Sequence, residues 1–254
     1  MLLAEQRQQK ICDYLLFEPA ISIHRAAEIC NTSEATARRD LDALAKKGLV
    51  QRTHGGAVPG SAPVTSAVNT EKLTRNAEAK AKIAHRAADL IQDGDRIFLD
   101  SGTTLLCLGL ELHRFRRLTV ITDNLDLAVQ CQLDASSTMF LLGGIVLREF
   151  GVTEGPISEE IASRLTVDIA FIGADGIDKE GGICCGSFVE VGVKQTMMRN
   201  SASRVLVADH SKFGVKTLVK IAELSEFQTV ITDSSLEEEY RAAISAQGPE
   251  LILA

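Results

Sequence analysis

Apolar positions in the first quarter of the chain recur at helical spacing in three short runs. Ile11 and Leu15 stand four apart in the segment 4–17, beside the basic Arg7 and Lys10, and the run stops before Pro19. Ser22 is a good N-cap for a second helix that buries Ala26, Ala27 and Ile29 and breaks at Cys30 and Asn31. A third helix opens at Thr32 or Ser33 and runs to Gly48, whose missing Cβ suits a left-handed helix end. Within it Ala37, Leu41 and Leu44 share one face, which turns Thr36, Arg38, Arg39 and Asp42 outward. The segment LVQRTHGGAV then predicts two short strands around a His-Gly-Gly turn, with the paired glycines supplying positive φ. Three helices followed by a hairpin predict a winged helix-turn-helix over residues 1–57.

Residues 57–76 are rich in Pro, Gly, Ser, Thr and Ala without sustained periodicity, and 58–76 reads as a linker. From residue 78 the pattern alternates. Helix 78–92, strand DRIFLD, helix 104–113, strand LTVIT, helix 124–133, strand TMFLLGG, helix 156–165 and strand DIAFIG follow in turn. The last quarter adds helix 189–200 and strand RVLVAD, then strands LVKIAEL and TVIT, helix 236–246 and strand LILA. Continuous apolar strands separated by amphipathic helices predict an α/β domain over 77–254, with a mostly parallel sheet covered on both faces.

Composition adds limits. At 254 residues the chain exceeds one average domain and suits two unequal ones. It has no apolar run near the ~20 residues that span a bilayer, and its first residues lack a secretory signal, so a cytoplasmic protein with no membrane partner is expected. Six cysteines without a C-x-x-C pair point to reduced thiols, and only the adjacent Cys184 and Cys185 suggest redox chemistry. The net charge of -7 hides a segregation. Residues 1–60 carry eight Lys/Arg against seven Asp/Glu, whereas the rest carries 19 against 27. Between 36 and 54 the balance is five basic to two acidic, and a polyanion would dock there.

Two sets of residues carry candidate chemistry. A recognition helix needs a small, capped N-terminus near base edges and flanking cations for phosphate, which Ser33, Glu34, Thr36, Arg38 and Arg39 supply. Arg52, His54 and Gly55 on the wing would reach the backbone or a minor groove. A plain protein-interaction domain, with Glu34 and Arg38 as an i, i+4 pair, is the competing reading. In the second domain strand DRIFLD runs through Asp100 into Ser101, Gly102, Thr103 and Thr104 and then a helix. Free N–H groups, a positive helix end and three hydroxyls there make an anion site. Further loops at strand ends carry Asn124, Gly173 and Asp175, and the segment Asp209-His210-Ser211-Lys212. In open parallel sheets such loops line one crevice. No P-loop and no G-x-G-x-x-G follows a strand, and the five histidines are not spaced for a metal, so neither a cofactor nor a metal is expected.

The motifs TSEATARRDLDAL, GLVQRTHGGA, DGDRIFLDSGTT, LTVITDN, LLGG, AFIGADGID and ADHSKFG, in this order across nearly the whole chain, resemble the DeoR family of bacterial sugar-metabolism regulators. The resemblance implies a repressor that binds double-stranded operator DNA, works as a homo-oligomer (dimer or tetramer) and answers to a phosphorylated sugar or polyol. Its sensor is similar to the ribose-5-phosphate isomerase fold, which implies that Ser101 to Thr104, Lys212 and Lys80 grip phosphate, with Asp175 and Asn124 on sugar hydroxyls. By the same likeness the isomerase's general base falls at Val193, its catalytic lysine at Cys184 and one aspartate at Ile172. The expectation is therefore binding without turnover. The alternatives are a phosphosugar isomerase-like enzyme with an appended DNA-binding domain, and a metabolite-sensing scaffold that recruits proteins.

Overall fold

The structure is a computed structural model that describes residues 3–46, 49–59 and 72–254. It falls into two compact units, one holding the described residues up to 59 together with 72–75, and one over 76–254. The expected helix end at Gly48 and most of the expected linker lie outside the described residues.

The first unit holds α1 (Ala4–Phe17), β1 (Ile21–Ser22), α2 (Ile23–Ile29), α3 (Glu34–Lys46), β2 (Val50–Thr53) and β3 (Gly56–Pro59). Ser22 caps α2 by accepting from Arg25 N at 3.0 Å, and Ser33 accepts from Thr36 N at the start of α3. Asn31, at φ 47°, makes the break between them. Ile11, Leu15, Ala26, Ala37, Leu41, Leu44 and Val50 close one apolar core. Arg7 on α1 grips Asp40 on α3 through two hydrogen bonds of 2.7 and 3.1 Å, a pairing that helical periodicity cannot reveal. β2 and β3 form the expected hairpin, but β1 joins it as a third, antiparallel strand. The expectation about its glycines needs correction, since neither Gly55 nor Gly56 has a positive φ. Gly56 is required because β1 passes so close that a Cβ there would lie 1.9 Å from the Ile21 carbonyl oxygen. The wing strand also extends to Pro59, two residues beyond the expected domain edge.

The second unit runs α4 (Ala77–Ala88), β4 (Arg96–Leu99), α5 (Thr103–Glu111), β5 (Thr119–Thr122), α6 (Leu125–Gln130) and β6 (Thr138–Leu141). It continues with β7 (Ile145–Leu147), β8 (Val152–Glu154), α7 (Pro156–Ser163), β9 (Val167–Ile172), β10 (Gly176–Ile177) and β11 (Gly182–Cys185). Then come α8 (Val191–Arg199), β12 (Ser201–Val207), β13 (Val219–Glu223), β14 (Thr229–Thr232), α9 (Glu238–Gln247) and β15 (Glu250–Leu253). Seven strands in the order β15-β14-β12-β9-β4-β5-β6 make one sheet, and every ladder in it is parallel. All four residues of β14 are buried, and because successive side chains point to opposite faces, both faces are covered there.

Two departures from the sequence pattern matter. LVKIAEL forms β13, which lies outside the main sheet and pairs antiparallel with β11 in a three-stranded sheet completed by β10. The segment after β6 turns into a β7–β8 hairpin, too short to announce itself by alternation. The chain visits β4, β5 and β6 on one side, then jumps back across β4 to β9 and builds outward to β15. The reversal of order falls between β4 and β9, and crevices for ligands open at such points.

Candidate functional site

On the first unit Ser33, Glu34, Arg38 and Arg39 are exposed and Thr36 is half-buried, so the outer face of α3 is available as the pattern predicted. His54 and Gly55 are exposed at the tip of the wing. Arg52 differs: its Nε lies 2.8 Å from Asp42, and its guanidinium also donates to the Gly56 carbonyl. It braces the wing against α3. The Gly55 carbonyl accepts from Ile23 N at 2.9 Å, which ties the wing turn to the start of α2.

On the second unit the switch point is built around Asp100, the residue that follows β4. Asp100 is fully buried and accepts from Gly173 N, just past β9, at 2.9 Å. Its other partner is Lys194 on α8, whose Nζ reaches both carboxylate oxygens, one at 2.7 Å. Asp100 thus joins three elements beneath the loop and uses its oxygens in doing so. Above it Gly102, at φ 128° and ψ 160°, bends the chain into α5, and Ser101 and Thr104 are mostly buried while Thr103 is half-exposed. A Cβ on Gly173 would lie 3.1 Å from Leu105 and 3.4 Å from the Ser101 carbonyl, so the chain leaving β9 passes close to the loop.

Lys80 on α4 is buried and lies near Cys107 of α5. Burial pushes the Cys107 thiol up to about 12 against the pull of that lysine. Asn76, at the start of α4, donates to Asp209 at 2.7 Å, and the same Asp209 carboxylate takes Ser211 N at 3.1 Å. These bonds set the 3-10 turn that presents a half-buried Lys212. His210 donates its backbone N–H to Asp233 at 2.8 Å. Burial would raise that carboxyl, but hydrogen bonds from His210 and Ser235 hold it below its usual range. Asn124 uses its side-chain oxygen to cap α6 at Leu127 N, 2.8 Å, and Asp175 accepts from Gly186 N at 2.9 Å.

Sequence reasoning missed two members of this site, Lys194 and Glu190, and placed Asp123 at a strand end, in the LTVITDN segment, without giving it a role of its own. Lys194 keeps its charge because, although burial opposes it, Asp100 and Glu190 raise its pKa further. Glu190 sits 3.5 Å from Lys194, and burial raises its carboxyl. Asp123, directly after β5, is driven up to about 8 by burial and by the neighbouring Asp100 charge, and one of its oxygens has no hydrogen-bond partner among the described residues. Periodicity could not find these groups, because Lys194 and Glu190 look like surface residues of an amphipathic helix. Val193, Cys184 and Ile172, by contrast, are core residues.

A winged helix-turn-helix with an exposed basic recognition helix, joined to an α/β unit with buried polar groups gathered at its switch point, defines a DNA-binding regulator with a sensor domain. The comparisons agree: a DeoR-like helix-turn-helix domain matches residues 7–61 and a DeoR C terminal sensor domain matches 75–234. The protein belongs to the DeoR family of transcriptional regulators. It is 30% identical to the HTH-type transcriptional regulator GlpR of Haloferax volcanii, over 99% of this chain and 98% of that protein. It is 35% identical to the transcriptional repressor AccR of Agrobacterium fabrum, over 91% and 90%. The glycerol-3-phosphate regulon repressor of Escherichia coli is 31% identical over 90% of each chain. Among solved structures, ribose 5-phosphate isomerase A of Methanocaldococcus jannaschii aligns with a TM-score of 0.40 at 22% identity, over 54% of this chain and 55% of the isomerase.

Proposed function

We propose that the protein represses a carbohydrate-utilisation operon and is released from its operator by a phosphorylated sugar or polyol bound at the switch point. The observation that carries the ligand class is the loop Ser101 to Thr104. It puts the N-terminus of α5 and several hydroxyls where β4 and β9 part, with the lysines 80 and 212 on flanking elements. The names of similar regulators support it, one being a glycerol-3-phosphate regulon repressor. In this reading the loop and the two lysines hold the phosphate, while Asn124, Gly173 and Asp175 face the carbon chain. Ser33, Glu34, Thr36, Arg38, Arg39 and His54 meet the operator, with Arg52 and Gly55 shaping the wing.

The test has two parts. A panel of phosphorylated sugars and polyols is screened for thermal stabilisation of the full chain, because a ligand that binds only the folded state raises its melting temperature. Lys212→Ala should then keep operator affinity and lose the response to the stabilising compound. Loss of both would mean misfolding, and retention of the response would remove Lys212 from the site.

The same reading makes the sensor a binder rather than a catalyst, since a proton-shuttling isomerase needs an ionised base beside the substrate carbon. Glu190 is the observation that favours the rival, because it places a carboxylate beside the crevice. An aldose–ketose turnover assay with purified protein is expected to read zero. Turnover abolished by Glu190→Gln would establish the enzyme instead.

A further inference from the structure

The seven-stranded sheet ends at β6, and this edge is unlike the rest of the unit. Phe140 and Leu141, on opposite faces of the strand, are both exposed. Among the described residues β6 pairs with β5 alone, so its outer edge presents free N–H and C=O groups. Ile145 and Val146 on β7 are 59% and 50% exposed, Val129 on α6 is 77% exposed and Ile157 on α7 is 60% exposed. These side chains come from elements that pack on one another, α6 against β6 and α7 against β8. Ile145 also reaches to within 3.6 Å of the position a Cβ on Gly155 would take, two residues from Ile157.

Proteins that leave a strand edge in water protect it with charges, prolines or bulges. Residues 138–147 (TMFLLGGIVL) contain no charged residue and no proline, in a chain of which 24% is charged. Depletion of charge beside large apolar side chains marks the centre of a protein interface.

We propose that the free edge of β6 together with the outer strand of the β7–β8 hairpin is where a second copy of this chain docks. Six large apolar side chains exposed on adjoining elements make more than the scattered single residues that an ordinary monomer surface carries. A stable dimer buries ~800 Å² per partner, so this patch provides the apolar centre and the strand edge with its polar flanks supplies the remainder. An edge strand paired antiparallel with its own copy about a two-fold axis satisfies both free edges at once, which no globular side-chain surface does. A two-fold pair is also the form in which helix-turn-helix proteins meet two half-sites.

The hairpin ties this interface to the crevice. Thr153 N donates to the Asp123 carbonyl at 2.8 Å, Leu125 N donates to the Gly151 carbonyl at 2.8 Å, and Asn124 bridges to Val152. One strand of the hairpin is therefore bonded to the loop that follows β5, while the other faces the partner. A ligand that shifts the 123–124 loop moves a strand at the dimer face.

The interface rests on the regulator reading only for its half-site argument, and its test needs neither operator nor ligand. The masses of the full chain, Ile145→Glu, Phe140→Glu and the control Leu218→Glu are measured by light scattering at micromolar concentration, with melting curves to verify folding. Leu218 is an exposed apolar residue outside the patch. Wild type and Leu218→Glu should share an oligomeric mass, and the two patch variants should each fall to half of it or less while still melting cooperatively. A monomeric wild type, or folded patch variants of unchanged mass, would overturn the proposal. Should both patch variants fail to fold, Val129→Glu, on the helix surface, decides by the same measurement.

Discussion

Asp123 shows how one residue's surroundings set its chemistry. Its carboxyl is buried beside Asp100, Lys194 and Glu190, and with its pKa near 8 it holds a proton at neutral pH. An unfolded aspartate releases that proton near pH ~4. The stability this group contributes is therefore complete below about pH 4 and is lost as pH rises toward 8, at up to about 1.4 kcal/mol per pH unit. Melting curves of wild type and Asp123→Asn between pH 5 and 9 should separate accordingly, with the variant gaining on wild type up to pH 8 and the gap constant above it. Parallel curves would mean that Asp123 is ionised throughout.

Gly102 is the second residue whose environment dictates its identity. Its dihedrals lie in a region that essentially only glycine visits, so Gly102→Ala should strain the loop by about 1–3 kcal/mol. The expected readout is a lower melting temperature and a weakened response to the phosphorylated compound found by screening. Gly56→Ala should be worse for the first unit, because its Cβ would collide with backbone rather than with a movable side chain. Loss of operator binding, with the second unit's unfolding transition unchanged, is the expected signature.

At the scale of elements, α3 combines a buried seam and a charged face. Leu41 is fully buried in the small core, and Leu41→Ala should cost ~2–5 kcal/mol by loss of burial and the cavity left behind. Arg38→Ala and Arg39→Ala leave that core intact. Each should weaken operator binding and lower the slope of log affinity against log salt by about 0.9 if the side chain meets one phosphate. Titrations at several salt concentrations test this, and an unchanged slope in both variants would remove α3 from the DNA face.

Elements also show where sequence pattern carries information and where it stops. The helices of the first unit were legible because Ala37, Leu41 and Leu44 repeat with the helical period and Ser22 and Ser33 cap them locally. The seven core strands were legible as apolar runs. β13 was legible as a strand, but LVKIAEL contains nothing that says which sheet receives it, because pairing partners far along the chain decide. β10 is too short to show a period, and the glycines of the wing were given the wrong reason because β1 is a two-residue strand that no pattern marks.

For the whole molecule, an effector that releases a repressor must bind its DNA-free form better, and ordinary coupling amounts to ~1–3 kcal/mol, or about 5–150-fold. Linkage is reciprocal. Operator DNA should therefore lower the affinity for the phosphorylated effector by the same factor by which the effector lowers affinity for DNA. Calorimetric titration of the effector with and without operator duplex measures this, and equal affinities would exclude the proposed release. No described helix is long and apolar enough to cross a membrane.

What the amino-acid sequence determined by itself were the properties carried by neighbours in the chain. Helical and strand periods, caps, the segregation of charge and the hydroxyl-rich turn after β4 all act over a few residues. Only the tertiary structure decided which distant groups share a low-dielectric space: Asp100 with Lys194, Asp123 with Glu190, Gly173 against Ser101, and the hairpin against the loop after β5. Burial and charge pairing act through distance in space, and separations of 26 to 94 residues leave no local trace from which to read them.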